Sequence, residues 1–491
     1  MKLYLDGHGF IYPAQQIAIC VFPDERHETV EKKPDDGDYA VISLVHEGDN
    51  IYSECELSRN GEVYFGKSPT ENRGENPLEY ARHAGRAVRT AFYKAAVEFL
   101  GKNPPWGAVT GIRPAKIPLK LFEKGLSERE TDGVLENEYF VSAKKRALLI
   151  DVARCGLRFE AEREPNDFSL YIGIPFCATR CEYCSFVSHS IEKAGHLIGP
   201  YLDMLKYELS MYSKIISKLS MRLKSIYIGG GTPTVLQNKQ LDDLMGFVSE
   251  SFDFSDIVEY TVEAGRPDTA DIEKILTIKN RGATRISINP QTMDDGILAA
   301  QGRNHTSADI IRMTENVRET GGLAVNMDLI AGLPGDTVLG FKRSINKVLD
   351  LNPENITVHT LSIKKGSNLK ATGAPLPNGE DVSEMVDYAA ERITNAGYKP
   401  YYLYRQKYIS GNLENTGYAM PGHVSAYNIY IMNELHTIIS AGAGGVTKLV
   451  SRDKSRIERL FNSKYPYEYN NSRDKLIGHF EKTEEFLRSF L

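Results

Sequence analysis

From Ser169 to about residue 375 the chain repeats one rhythm: an apolar, β-prone run, a loop, then an amphipathic helical stretch. Strand-like runs fall at 169–174, 224–228, 257–263, 284–288, 323–329 and 355–361. Helical periodicity follows at 198–220, 238–251, 271–281, 306–320, 337–350 and 382–396. Strands that alternate with helices pair in parallel through right-handed crossovers. Six such units imply an α/β fold, either an open doubly wound sheet or a partial (β/α)6 barrel. In both, working residues gather where the strands end.

The loop after the first of these strands is chemically loaded. Residues 171–186 read Tyr-Ile-Gly-Ile-Pro-Phe-Cys-Ala-Thr-Arg-Cys-Glu-Tyr-Cys-Ser-Phe. Cys177, Cys181 and Cys184, three of the six cysteines, have the spacing C-x3-C-x2-C. Thiolates are soft ligands that suit zinc or iron-sulfur clusters. A structural zinc wants four ligands, usually two C-x2-C pairs, and only one such pair exists here. His189 is available as a fourth, but it lies in a polar stretch where a solvated loop histidine is expected. A thioredoxin-like pair is disfavoured by the third cysteine. Three thiolates on a four-iron cluster leave one iron open to bind and activate something else, and this reading fits best.

The other strand ends are rich in glycine and polar groups. The second is followed by Gly229-Gly230-Gly231-Thr232-Pro233-Thr234, where a backbone without Cβ atoms can approach a ligand closely. No Gly-Lys-Ser/Thr follows, so this is not a phosphate-binding P-loop. Glu263 ends the third strand, and Asn289-Pro290-Gln291 follow the fourth, with Arg303 beyond. The fifth contains Asn326 and Asp328, and the sixth gives His359 and Thr360. Each alone reads as well as a cap or loop residue. Together they converge on the cysteine-bearing mouth, as a ligand pocket requires.

At 491 residues several domains are expected. We place an N-terminal accessory module at 1–160, the βα core at 165–375 and a C-terminal substrate-side domain at 376–491. Runs at Ile17–Phe22, Tyr39–Val45, Ile51–Leu57 and Val63–Phe65 read as a small antiparallel β module. A helix is expected from Asn76 to Leu100, with Ala81, Ala84, Val88, Ala91, Ala95 and Phe99 on one face. The loop Trp106 to Lys116 is either an anion contact or a packed connector. Tyr398, Tyr401, Tyr402, Tyr404 and Tyr408, interleaved with Arg405 and Lys407, either line a pocket for a flat acidic ligand or form a half-buried strand. The Gly442–Val446 segment reads as a close-approach turn, and the last 40 residues as charged and helical. A net charge of −6 without a long basic run argues against nucleic acid. No apolar stretch of about 18 residues suggests a membrane span. The N-terminus lacks a signal-peptide core, so a cytoplasmic protein with reduced thiols is expected.

The cysteine spacing, with the aromatic Tyr183 before the last cysteine, resembles the radical SAM superfamily motif over roughly residues 168–365. Tyr-Ile-x-Ile-Pro-Phe-Cys, Gly-Gly-Gly-Thr-Pro-Thr and Asp-Leu-Ile-x-Gly-Leu-Pro resemble the oxygen-independent coproporphyrinogen III oxidase group, which includes HemN, HemW and HemZ. The N-terminal module, Thr-Gly-Ile-Arg-Pro and Tyr-Tyr-Leu-Tyr-Arg-Gln-Lys resemble its HemZ branch most. The resemblance implies a partial (β/α)6 barrel with an N-terminal α+β accessory module and a C-terminal extension. It implies a 4Fe-4S cluster on Cys177, Cys181 and Cys184, whose open iron chelates S-adenosylmethionine (SAM), cleaved to a 5′-deoxyadenosyl radical. By motif position Tyr171, Gly230 and Glu263 would bind this SAM. Tyr183, Gly231, Thr232, Gln291, Arg303, Asp328 and Ser362 match positions lining a second one in the HemN group. The implied reaction is oxidative decarboxylation of coproporphyrinogen III to protoporphyrinogen IX, with a flavodoxin- or ferredoxin-like electron donor and a monomeric chain. Arg113, Lys116, Arg405 and Lys407 are the cations available to the substrate carboxylates. A departure is also legible: Ser185-Phe186 follow Cys184 where the HemN branch has a fourth cysteine two residues on, and HemW-like haem-binding relatives also lack it. A haem chaperone with a SAM-binding cluster is therefore the alternative.

Overall fold

In a computed structural model of the chain, the six expected strands stand side by side and parallel. They are β1 (Asp167–Ile174), β2 (Arg222–Gly230), β3 (Glu259–Glu263), β4 (Arg285–Ser287), β5 (Ala324–Ala331) and β6 (Asn355–Thr360). Each pairs with the next in parallel. Residues 1–23, 25–363, 366–369, 376–406 and 413–490 are described. They form two compact units, 155–402 with 415–491, and 1–154 with 403–414.

In the larger unit the helices sit between the strands as the periodicity requires. Helix Ile198–Lys218 buries Tyr201, Leu205, Leu209 and Tyr212. Asp271, Thr306 and Thr337 cap helices Ile272–Asn280, Ser307–Thr320 and Val338–Asp350 through their side-chain oxygens, which is why these helices start where they do. Seven of the eight residues of β1 are buried, the pattern of a strand covered on both faces. This arrangement is the partial barrel expected above, with a large, mostly parallel sheet.

The C-terminal segments extend that same sheet. β7 (Lys399–Arg405) and β8 (Glu414–Ala419) lie beyond β6, with β8 antiparallel to it. On the other side β9 (Thr437–Ala441) runs parallel to β1, followed by antiparallel β10 (Val446–Val450) and β11 (Ile457–Phe461). The full order is β7-β8-β6-β5-β4-β3-β2-β1-β9-β10-β11. Thus the last 40 residues contain a strand as well as the helix Arg473–Arg488. Gly442 is a close-approach turn: at φ +104, an added Cβ would stand 2.6 Å from both the Gly173 carbonyl and the Tyr201 hydroxyl. Beside it Glu208, fully buried, accepts from the Tyr469 hydroxyl at 2.6 Å, Gly442 N–H at 2.8 Å and Asn462 Nδ2 at 2.8 Å. Burial pushes its carboxyl up to about 7 against the pull of these donors.

The smaller unit corrects two expectations. Ile17–Phe22 is not a strand; Ile11–Val21 is a helix that buries Ala14, Ile17, Ala18 and Val21 on one face. The i, i+3, i+4, i+7 spacing of those residues, seen over the whole helix, settles a run too short to decide by itself. The sheet is mixed rather than antiparallel, because Lys2–Asp6 pairs in parallel with Tyr39–Glu47 and Glu28–Val30. Helix Pro77–Leu100 starts at an Asn76 cap and stops at left-handed Gly101. Trp106 belongs to the packed-connector reading: it is buried and its Nε1 donates to Glu414 Oε2 at 2.9 Å.

Candidate active site

The site forms where β1, β2 and β3 end. The turn after β2 is pinned onto the exit of β1: Gly231 N–H donates to the Ile174 carbonyl and Thr232 N–H to that of Phe176, both at 2.8 Å. Gly230 adopts φ +108, a left-handed conformation that favours glycine, and points its N–H at Glu263 Oε2, 3.1 Å away. The flanking glycines are required by space. A Cβ on Gly229 would meet Glu263 Cδ at 2.8 Å, and one on Gly231 would meet the Phe176 carbonyl at 2.5 Å and Cys177 Sγ at 3.0 Å. The three glycines therefore wedge one backbone turn between the Glu263 carboxylate and the first cysteine.

Glu263 accepts a second hydrogen bond, from the Tyr227 hydroxyl at 2.6 Å. Burial pushes its carboxyl up to about 7, while the Tyr227 and Gly230 donors favour the ionised form. Tyr171, Tyr227 and Tyr427 stack beside it, with ring centroids 4.7 to 6.3 Å apart. Tyr227 and Tyr427 were not singled out in the sequence. The available signal was a hydroxyl-bearing ring inside the otherwise apolar run of β2.

The cysteine loop is stitched down by its neighbours. All three thiols are unpaired, and Thr232 Oγ1 lies 3.6 Å from Cys177 Sγ. Residues Phe176–Cys177 pair in parallel with His189–Ser190, so His189 belongs to local backbone structure. Thr179 Oγ1 donates to the Gly302 carbonyl at 2.8 Å and receives from Arg266 Nη1 at 2.6 Å. Arg303, buried, spends its donors on the Tyr183 hydroxyl at 3.0 Å and on the Gly265 and Asn289 carbonyls at 2.7 Å. Its Nε faces His305 Nε2 at 3.3 Å. Four of its five N–H groups are thus engaged within the chain.

The remaining expected residues lie at the neighbouring strand ends. Gln291 holds φ +68, with its N–H on the Asp328 carbonyl and its own carbonyl receiving Ile330 N–H. A strained non-glycine residue at a strand end is a feature functional sites retain. Burial raises the Asp328 carboxyl, but His359 and the Asn326 amide, which donates at 3.0 Å, outweigh it and hold the group below the ordinary range. Ser362 Oγ and Asn289 Oδ1 are buried without a partner. Of the expected substrate cations, Arg113 and Lys116 are half-buried in the smaller unit. Arg405 is buried there over Trp106 with its Nη1 on the Val109 carbonyl. Tyr401 and Tyr402 are buried in β7, the strand alternative. Lys407 and Tyr408 lie outside the described residues.

The residues fit the cofactors that the motif implies. Three unpaired thiols on one short loop are the donor chemistry an iron-sulfur cluster takes. As they stand, no three His, Cys, Asp or Glu side chains among the described residues converge on one point. Burial pushes the Cys177 and Cys184 thiols up, with Cys181 adding to both, so uncharged thiols are favoured there until a metal displaces the protons. The unpartnered Ser362 and Asn289 oxygens and the carboxylate in its glycine cradle are the acceptors that an amino group or ribose hydroxyls need.

Comparison with known proteins agrees. The profile described as the radical SAM superfamily matches residues 171–348. The chain is 40% identical over 375 residues to the oxygen-independent coproporphyrinogen-III oxidase-like protein HemZ of Bacillus subtilis, covering 75% of each. It is 33% identical to the heme chaperone HemW of the same organism, covering 61% of this chain and 77% of HemW. Among solved structures, the radical SAM coproporphyrinogen III oxidase HemN from Escherichia coli shares the fold with a TM-score of 0.52 at 20% identity, over 65% of this chain and 72% of that one. No helix among the described residues is long and apolar enough to cross a membrane.

Proposed function

Because this chain belongs to the radical SAM superfamily, in the HemZ branch of the oxygen-independent coproporphyrinogen III oxidase group, we propose that it oxidatively decarboxylates coproporphyrinogen III to protoporphyrinogen IX. The observation that carries this reading is the glycine turn 229–231, which puts a buried carboxylate cradle and a cysteine loop on opposite sides of one backbone turn. The cofactors of the family are a 4Fe-4S cluster and SAM. When bound, they supply hydrogen-atom abstraction from an unactivated carbon–hydrogen bond.

The chain's own residues do the positioning. Cys177, Cys181 and Cys184 would hold the cluster. Gly230 and Glu263 would take the amino and hydroxyl groups of SAM, with Tyr171 in the stacked aromatic wall that excludes water. Arg303 holds Tyr183, and through it the cysteine loop, against the ends of β3 and β4. Asp328, held ionised, and Ser362 face the remaining polar groups of a ligand. Each round removes a hydrogen atom from a propionate, breaks its bond to the carboxylate as carbon dioxide, and passes one electron to an external acceptor. A vinyl group remains, and two rounds give the divinyl product.

The test is anaerobic reconstitution with iron and sulfide, reduction in the presence of SAM, and analysis of coproporphyrinogen III for the divinyl product. Release of 5′-deoxyadenosine with formation of protoporphyrinogen IX is expected. A second reading, a haem chaperone, is favoured by one observation: Ser185-Phe186 replace a further cysteine, and Phe186 is 69% exposed beside the loop. Stoichiometric haem binding without turnover of the porphyrinogen would establish that reading instead.

A further inference from the structure

The segment that leaves β3 carries a second grip on the cysteine loop. Arg266, three residues past Glu263, is only 3% exposed, and its guanidinium has two edges at work. One edge meets an acid on its own segment. Nε donates to Asp268 Oδ1 at 3.0 Å and Nη2 to Asp268 Oδ2 at 2.8 Å, a two-pronged pair. The other edge meets the cysteine loop. Nη1 donates to Thr179 Oγ1 at 2.6 Å and to the Thr179 carbonyl at 3.2 Å. Thr179 stands two residues after Cys177 and two before Cys181, so the contact falls midway between two of the three thiols. The Thr179 hydroxyl donates in turn to the Gly302 carbonyl at 2.8 Å, which fixes its rotamer.

Asp268 is held from a second side. His305, buried, brings Nδ1 to 3.6 Å from Asp268 Oδ1, while its Nε2 lies 3.3 Å from Arg303 Nε. A guanidinium only donates, so Nε2 accepts and the imidazole proton is assigned to Nδ1, on the Asp268 side. Burial raises the Asp268 carboxyl, but His305 and Arg266 outweigh it and hold the group well below the ordinary range. The result is a row, Arg266, Asp268, His305 and Arg303, whose two ends grip the cysteine loop at Thr179 and at Tyr183. Its charges stand in a fixed order, with the Arg266 cation between the loop and the Asp268 anion.

An ion pair of this kind is weak evidence for stability, since apolar side chains often hold a segment as well without the desolvation cost. What they cannot supply is a fixed charge. In a low dielectric, a positive charge beside an iron-sulfur cluster favours the added electron, and a negative one opposes it. Arg266 is near enough to act on the thiols: burial raises the Cys177 thiol, and Arg266 is among the groups that pull against it. We propose that Arg266 is a positioning residue for the cysteine loop whose charge also raises the reduction potential of the cluster held there, with Asp268 orienting the guanidinium and tempering its charge. This deepens the proposed function and rests on its assignment of Cys177, Cys181 and Cys184 as cluster ligands.

Potentiometric titration of the reconstituted full chain with dithionite tests the proposal, at pH 8.5 and without SAM, followed by the electron paramagnetic resonance of the reduced cluster. Arg266→Gln should lower the potential, because it leaves the Asp268 charge unbalanced beside the loop. Asp268→Asn should raise it, because it leaves the Arg266 charge unbalanced. Arg266→Lys keeps the charge without the fork, so its potential should lie closer to that of the unaltered protein than Arg266→Gln does. Opposite shifts from the two neutralising variants are what a merely structural contact does not give. Shifts in one direction, no shift, or an Arg266→Lys potential equal to that of Arg266→Gln would each overturn the proposal while leaving the ligand assignment standing. If Arg266→Gln takes up no iron, Asp268→Asn decides, and a potential that is not raised overturns the proposal. An unaltered protein that holds no reducible cluster overturns the ligand assignment and this inference with it.

Discussion

The Tyr227 hydroxyl donates to Glu263 Oε1 at 2.6 Å, across the adjacent parallel strands β2 and β3. On the other oxygen of the same carboxylate, Gly230 N–H donates at 3.1 Å. These two donors oppose the burial that pushes the Glu263 carboxyl up to about 7. They keep a share of it ionised at neutral pH, which is the form that accepts hydrogen bonds from a cationic or hydroxylated ligand.

Tyr227→Phe removes the shorter of those bonds. The Glu263 pKa then rises further, so less carboxylate is present near neutrality. SAM affinity, read from the concentration dependence of 5′-deoxyadenosine release, is expected to fall about tenfold at pH 7.5. The deficit should shrink at pH 9, where the carboxyl is ionised in both proteins. An equal deficit at both pH values would mean that the hydroxyl acts by packing rather than through the Glu263 charge.

Gly231→Ala forces a Cβ to within 2.5 Å of the Phe176 carbonyl and 3.0 Å of Cys177 Sγ. Neither backbone nor a ligating thiol can yield cheaply, so the variant is expected to lose most of its iron on reconstitution. Gly199→Ala is the control. Its Cβ meets nothing within 4 Å, and in helix Ile198–Lys218 it should be neutral or stabilising by about 0.5 kcal/mol. Iron and sulfide content measured on both decides.

Arg303→Lys keeps the charge but cannot reach Tyr183, Gly265 and Asn289 together, because a single ammonium replaces a planar fork. At least one carbonyl is left buried and unpaired, costing about 1–3 kcal/mol. The cysteine loop loses its hold on the strand ends. Faster iron release to a chelator than in the unaltered protein is the expected readout, and an unchanged rate would show that Tyr183 is held by other contacts.

Glu208 gives the stability of the larger unit a pH dependence whose sign is fixed. Its folded value of about 7 lies above the ordinary 4.5, so the folded state binds the proton more tightly. Stability from this group is full below about pH 4.5, falls as pH rises towards 7, and stays reduced above it. The penalty is about 3 kcal/mol at most. Urea unfolding of the unaltered protein and of Glu208→Gln at pH 5 and pH 8 isolates it: moving to pH 8 should cost the unaltered protein more.

Much of the larger unit was legible because its strands and helices announce themselves locally. The run Ile226-Tyr227-Ile228 reads as a covered strand, and Thr306 or Thr337 before an apolar period reads as a helix start. Ile17–Phe22 failed because six apolar residues sample less than two helical turns, too few to separate one period from another. The tyrosines of β7 stayed ambiguous because burial and ligand contact select the same side chain.

By its own spacing the sequence determined the cysteine loop, the glycine turn, Glu263 at a strand end and the six parallel βα units, since each depends on neighbours a few residues apart. The tertiary structure alone decided that Tyr227 and Tyr427 wall the carboxylate and that Arg303 spends its donors on the chain itself. It also decided that β9 returns to pair with β1. These rest on contacts between residues far apart in the chain, whose energies come from burial and hydrogen-bond geometry that no local pattern encodes.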